Sequence, residues 1–334
     1  VLGCVTAYSL GLAGPLFFDD VPNLTENLLL RLDWLVVDEW RTASLSSNAG
    51  LFHRPVAMLS FALNYAVAGD FVALELKTIN LLVHLLIGLL FYYLGEALLR
   101  TPSARRLAVV RAHRHSIAIF AALVWLLHPL HVSTVLYVIQ RMAQLSALFT
   151  VAGLLVFTRC RLKWAESGAT PGQVVGGLAW IGLLGLLAVF SKENGALLPW
   201  LIIVIEVTLF RGVWRGEYSR HLQVAGWLLL VMPLITVITV FLIAPDLFSG
   251  RFSGREFTLY ERLLTQGRVL WEYLGWIFFP DLRSLGFHHD DLMVSVSLVS
   301  PLTTLLALVA WAGAIVIGFM QRDSLPMLWY ALLI

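Results

Sequence analysis

Charge is scarce in this chain. Only 13% of its 334 residues are Asp, Glu, Lys or Arg, against roughly 25% in soluble domains, while 59% are hydrophobic. That balance excludes an ordinary soluble fold and implies an integral membrane protein. A formal net charge of only +2 argues against a nucleic-acid partner. With just two cysteines, Cys4 and Cys160, there is no disulfide framework. The first apolar run lacks a basic leader and a small-residue cleavage site, so it reads as a membrane helix and not as a signal peptide. The motifs of familiar soluble enzymes are missing too: no P-loop, no dinucleotide-binding glycine pattern, no HExxH and no GxSxG. No fixed-period repeat or low-complexity tract is found.

What the chain has is long apolar runs. A spanning helix needs about 20 mostly apolar residues, and only helices or closed barrels satisfy their backbone in lipid. Spans are predicted near residues 1–17, 75–99, 116–132, 134–158, 173–190, 195–212, 222–244 and 301–320, with another beginning near 324. The fold class is therefore an all-α polytopic membrane protein, read as one membrane domain over 1–334. Loop charge orients it. The short loops near 100–115, 159–172, 211–221 and 321–323 carry Arg100, Arg105, Arg106, Arg111, Arg114, Arg159, Arg161, Lys163, Arg211, Arg215, Arg220 and Arg322, whereas those on the other side carry only Arg141 and Lys192. The basic side is cytoplasmic by the positive-inside rule.

That orientation turns the long loops 18–74 and 245–300 outward. "LLLRLDWLVVDEW" and "ERLLTQGRVLWEYLGWIFFP" within them read as helices lying in the interface, the second with a re-entrant or spanning placement as the alternative. It also gathers Asp19, Asp20, His53, Arg54, His128, His131, Arg141, Lys192, Glu193, Arg255 and the "HHDD" cluster His288, His289, Asp290 and Asp291 on one membrane face. An active site at a bilayer surface requires such a convergence.

Each group has a plain reading beside the chemical one. Asp19 and Asp20 either mark a helix end and cap the next helix or do chemistry. In "FSKENG", Lys192 and Glu193 sit between two apolar runs with almost no loop. Ionised groups there are costly unless paired or used, and neighbours in sequence cannot face each other on a regular helix. Each therefore needs another partner, with Asp19 or Asp20, Arg141 or a bound phosphate as the candidates. "HPLH" suggests a metal through His128 and His131, but Pro129 interrupts the spacing and no third ligand is near, which favours a hydrogen-bonding role. "HHDD" would suit a divalent cation, with a solvated polar loop the favoured reading. Asn80 and His84 share a helix face, which interhelical hydrogen bonds explain.

In order along the chain stand "FFDDVPNLTEN", "FHRPVAMLSFALNYAVAG", "INLLVHLLIGLLFY", "LLHPLHVSTVLYVIQRMAQLSALF" and "LLAVFSKENGALLPWLIIVIE". This set resembles the core of the transmembrane and tetratricopeptide-repeat O-mannosyltransferases, which belong to the GT-C membrane glycosyltransferases. The resemblance covers most of 10–215 and extends more loosely to "RLLTQGRVLWEYLGWIFFPDLRSLGFHHD". "VIQRMAQL" stands where animal members show a Gly-Arg-type sequence followed by an acidic residue, a pattern more similar to a bacterial relative.

The resemblance implies a GT-C-type helical bundle. It implies an enzyme that moves a sugar from a polyprenyl-phosphate-linked donor to a hydroxyl on an acceptor protein or glycan, at the non-cytoplasmic face of a bacterial inner membrane or of the ER membrane. It places the catalytic base at Asp19 with Asp20 orienting it. It also puts Glu193 near the donor and Arg54, Arg141 or Lys192 on the donor phosphate, to which place on the outward face adds Arg255, with His53, His128 and His131 as supporting residues. No cofactor is implied beyond the donor, with a divalent metal left open. The apolar start at Val1 and the broken-off "LPMLWYALLI" read as a chain cut at both ends, with a repeat domain expected beyond Ile334. Two other readings remain: an inactive GT-C scaffold or partner subunit of a membrane complex, and a transporter of lipid-linked sugars.

Overall fold

The computed structural model describes residues 2–32, 36–50, 52–212, 214, 219–243, 257–281 and 292–334. Among these there is no β-strand. The α-helices are α1 (Leu2–Leu12), α2 (Val37–Ser44), α3 (Pro55–Ala68), α4 (Ala73–Leu99), α5 (Ala108–Leu126), α6 (His131–Leu136), α7 (Arg141–Ser167), α8 (Pro171–Ser191), α9 (Leu198–Ile205), α10 (Ser219–Ile243), α11 (Leu259–Phe278), α12 (Leu302–Met320) and α13 (Pro326–Leu333). Among the described residues, six helical stretches are long and apolar enough to cross a membrane: Ala73–Leu99, Ala108–Leu126, Val138–Ser167, Pro171–Ser191, Glu193–Phe210 and Leu302–Met320. The chain is thus an all-α, multi-pass membrane protein.

Local signals set the ends of these helices. Proline opens α3, α8 and α13, where its missing N–H costs nothing and its φ is already helical. Capping boxes start α8 (Thr170 with Gln173) and α11 (Thr258 with Glu261). α1 stops well short of the predicted residue 17, because Gly14 cannot stay helical comfortably before Pro15. α5 begins at Ala108 and α7 runs on to Ser167, so Arg111, Arg114, Arg159, Arg161 and Lys163 are helical and not in loops. Hydropathy marks only the lipid-facing part of a helix, while Arg and Lys are good helix formers whose long side chains reach past its end.

Packing sorts the chain into two compact units, Val1–Ile202 with Val213–Leu222 and Ile203–Gly212 with Gln223–Ile334. The division falls within the span predicted at 195–212. In the first unit, Gly88 meets Leu126 and Gly95 meets Ala118, so α4 and α5 run antiparallel. Gly177 meets Trp164 while Ser146 bonds the Lys192 carbonyl, so α7 and α8 do likewise. Small residues let such helices approach closely in the absence of a hydrophobic drive between them. The starts of α4 and α7 lie together, because Arg141 bonds the Leu76 carbonyl. Around them a buried apolar cluster of Leu24, Leu30, Met58, Phe61, Leu76, Val138 and Met142 packs the segments after α1 against α3, α4 and α7.

In the second unit, α11 packs on α12. Trp271 Nε1 donates to the Ala307 carbonyl at 3.1 Å and Trp311 Nε1 to the Gly267 carbonyl at 3.0 Å, with ring centroids 4.5 Å apart. The stretch read as interfacial or re-entrant at 261–280 is this single helix. Arg255, His288, His289, Asp290 and Asp291 lie outside the described residues.

Candidate active site

The acidic pair is sorted by the turn that carries it. Phe18 takes a left-handed conformation with φ +50°, and a helical turn over Val21–Thr25 follows. Asp20 is fully buried. Its Oδ1 accepts the Ile139 N–H at 2.7 Å, and its Oδ2 accepts Val138 N–H at 3.3 Å and Phe17 N–H at 3.4 Å. Burial pushes the Asp20 carboxyl above its ordinary range, against the pull of these three N–H donors and of the Lys77 charge. Asp19, by contrast, is exposed. Its N–H donates to the Tyr137 hydroxyl at 3.0 Å and its carbonyl accepts from Asn23.

Beneath the pair lies a polar scaffold within the bundle. Lys77 is buried. Its Nζ donates to the carbonyls of Gly14 at 2.9 Å, Pro15 at 3.0 Å and Gly11 at 3.4 Å, so a cation closes the end of α1 where the helix dipole is negative. Three residues further along α4, Asn80 Nδ2 donates to the carbonyls of Val135 and Val138, both at 3.2 Å. Its Oδ1 accepts Arg141 Nε at 2.8 Å. Arg141 is itself buried. Its remaining donors go to the Asn64 side chain, the Leu76 carbonyl at 2.9 Å and the Ser60 carbonyl at 3.4 Å, and its guanidinium lies 4.5 Å from the Phe61 ring. A buried cation persists only where acceptors surround it. Arg141 therefore ties α3, α4 and α7 together, with four of its five N–H donors engaged.

Arg54 and Glu193 are brought together from 139 residues apart. Arg54 donates Nη2 to Glu193 Oε2 at 3.0 Å and Nε to the same oxygen at 3.2 Å. Arg54 Nη1 also reaches Met142 Sδ at 3.3 Å. Backbone geometry shapes this corner. His53 and Arg54 are both left-handed (φ +57° and +51°). Gly50 has φ +79°, and a Cβ there would fall on the Glu193 carboxylate, so only glycine leaves room for the acid. Exposed His53 holds the Ser47 carbonyl through Nδ1 at 2.7 Å, which requires that nitrogen to carry the proton. Lys192, half-buried, ends α8 beside the pair. Burial pulls its ammonium below the usual lysine range and the Arg54 charge adds to this, with Glu193 opposing.

The histidines do something else. His131 lies 5.2 Å from His84 and 4.4 Å from Trp125, ring centre to ring centre, and His128 lies 6.4 Å from His131. His84 Nε2 bonds the Leu126 carbonyl at 3.0 Å. Burial, then the neighbouring His84 and His128, push His131 down to about 4. His128 and His131 thus belong to an aromatic group with His84 and Trp125. Among the described residues no three His, Cys, Asp or Glu side chains are grouped to hold a metal.

One short stretch at the start of α7 joins the parts. Residues 137–142 receive Asp19 through Tyr137, Asp20 through Val138 and Ile139, and Arg54 through Met142. Of the cations singled out in the sequence, Arg54 and Lys192 flank Glu193 and Arg141 sits in the helix junction. Sequence reasoning missed Lys77, Tyr137, Asn64 and Met142. A lysine within an otherwise apolar span was a usable signal for the first, whereas nothing local marks the other three.

No protein-family model matches the chain, and no solved structure matches it. Among curated proteins it is similar to human Protein O-mannosyl-transferase TMTC4, 30% identical over 206 residues that make up 58% of this chain and 27% of that protein. It is also similar to Drosophila melanogaster Protein O-mannosyl-transferase Tmtc3, 26% identical over 62% of this chain and 23% of that one. Caenorhabditis elegans Protein O-mannosyl-transferase F38B6.6 is 26% identical over 63% and 27%. The chain spans about a quarter of the length of these relatives. They carry the family name to which the order of motifs pointed.

Proposed function

We propose that this chain is the membrane part of a glycosyltransferase that moves a sugar from a polyprenyl-phosphate-linked donor to a hydroxyl acceptor at the non-cytoplasmic face. The observation that carries the reading is the anchoring of an exposed carboxylate, Asp19, and a paired cation, Arg54, on the same stretch 137–142. The names of the relatives make mannose and a protein hydroxyl the first sugar and acceptor to assay.

The chemistry follows from these groups. Asp19 takes the acceptor hydroxyl proton as that oxygen attacks the anomeric carbon, a contribution of about 10² to 10⁴ in rate. The bond from the anomeric carbon to the phosphate oxygen breaks, and the lipid phosphate departs with the bonding electrons. Where the phosphate displaces Glu193, Arg54 offers it two parallel donors and Lys192 a point charge. Asp20 acts through the backbone it clamps. The basic helix ends at Arg100–Arg114 and Arg159–Lys163 lie at the opposite ends of α4, α5 and α7 from this site, which supports an outward active site.

The inactive-scaffold reading has one observation in its favour: Glu193 already supplies Arg54 with an anion. The test is transfer from a polyprenyl-phosphate sugar by purified protein. Asp19→Asn should abolish transfer with donor binding retained, and Arg54→Ala or Lys192→Ala should weaken donor binding at unchanged thermal stability. Full transfer by Asp19→Asn would remove the base and promote the scaffold.

A further inference from the structure

We infer that Tyr137 is a positioning residue that holds Asp19 in place for proton abstraction, an inference that rests on the reading of Asp19 as base. An exposed aspartate on a loop has no fixed direction of its own, and rates depend steeply on the placement of the reacting groups. Tyr137 supplies the missing constraint. It is buried, and its hydroxyl accepts the Asp19 N–H at 3.0 Å. Burial pushes that hydroxyl above the usual tyrosine range, and the charge of the Asp19 carboxylate adds to the rise. Its ring stacks on Phe17, with centroids 5.1 Å apart and planes 14° off parallel, and meets Phe18 edge-on at 6.5 Å.

Tyr137 therefore grips the chain on Asp19 and on both residues before it. Asp20 grips from the other side, through the N–H groups of Val138 and Ile139, the two residues that follow Tyr137. Two consecutive acidic residues are thus pinned to three consecutive residues just before α7. The left-handed Phe18 lies between the points of attachment. Such a conformation in a non-glycine residue persists only where its surroundings over-determine it, and the Tyr137 ring and hydroxyl do so here.

Tyr137→Phe is a clean test, because the ring stack survives and only the oxygen is lost. In the transfer assay with a polyprenyl-phosphate sugar, kcat should fall about tenfold while donor KM stays within about twofold and the thermal midpoint is unchanged. A purely structural tyrosine would instead lower the thermal midpoint and leave kcat alone, which would overturn the inference. Asp19→Asn is run beside it. An inactive Asp19→Asn with a fully active Tyr137→Phe would discard the role of Tyr137 and keep the base, whereas a fully active Asp19→Asn would discard both.

A second measurement needs no substrate. The rate at which a water-soluble carbodiimide modifies Asp19, followed by peptide mass spectrometry, should change severalfold in Tyr137→Phe. An unchanged rate would mean that the hydroxyl does not hold the carboxylate.

Discussion

At the scale of single residues, two adjacent aspartates with one chemistry have been given opposite surroundings. Asp19 is exposed, while Asp20 is enclosed and meets three backbone N–H groups. Removing a buried acceptor leaves its donors without water or partner, which costs more than an average hydrogen bond contributes. Asp20→Ala should accordingly lower the unfolding free energy by about 3 kcal/mol, whereas Asp19→Ala should leave it nearly unchanged. Chemical unfolding in detergent, followed by tryptophan fluorescence, distinguishes the two. Equal losses would show that the burial difference is not what separates the pair. Arg141 teaches the same lesson. Its type suits a phosphate, yet Asn64, Asn80, Ser60 and Leu76 already take four of its five N–H donors.

At the scale of elements, the helices act as carriers that set polar groups at matching heights. α4 brings Lys77, Asn80 and His84 along one face: the first closes α1, the second meets α7 and the third reaches the end of α5. Lys77→Met keeps the length of the side chain but strips the cation from the carbonyls at the end of α1. The expected cost is about 2 kcal/mol. Because Gly14 and Pro15 lead directly into Phe17 and Asp19, sugar transfer should fall as well. Thermal unfolding and the transfer assay on the same preparation check both, and loss of neither would leave α1 without need of its cap.

At the scale of the whole molecule, the claim open to test is which membrane face carries the site. Exposed Asn48 lies in the loop read as outward and exposed Arg105 in the basic connection after α4. A membrane-impermeant thiol reagent applied from outside should label Asn48→Cys and spare Arg105→Cys. The reverse pattern would place the site on the cytoplasmic side and overturn the proposed donor chemistry. Serines 47 and 103 look like equivalent probes in the sequence, but both are buried in the fold and would report access to the core in place of sidedness.

Composition and periodicity determined the class and most of the spans, because apolar length is a local property that a bilayer reads directly. The order of motifs was equally legible, and curated relatives agree with it. Even the need of Glu193 for a distant partner followed from the cost of charge at the edge of hydrocarbon. What only the tertiary structure decided is which partner each group found. Asp20 meets Val138 and Ile139 from 118 and 119 residues away, Arg54 meets Glu193 from 139, and Lys77 meets Pro15 from 62. Such pairings depend on how helices are rotated and stacked against one another, and a one-residue turn of a helix moves a side chain by about 100°. No window of sequence contains that angle, so the sorting of Asp19 from Asp20 and of Arg54 from Arg141 appears only when the bundle is assembled.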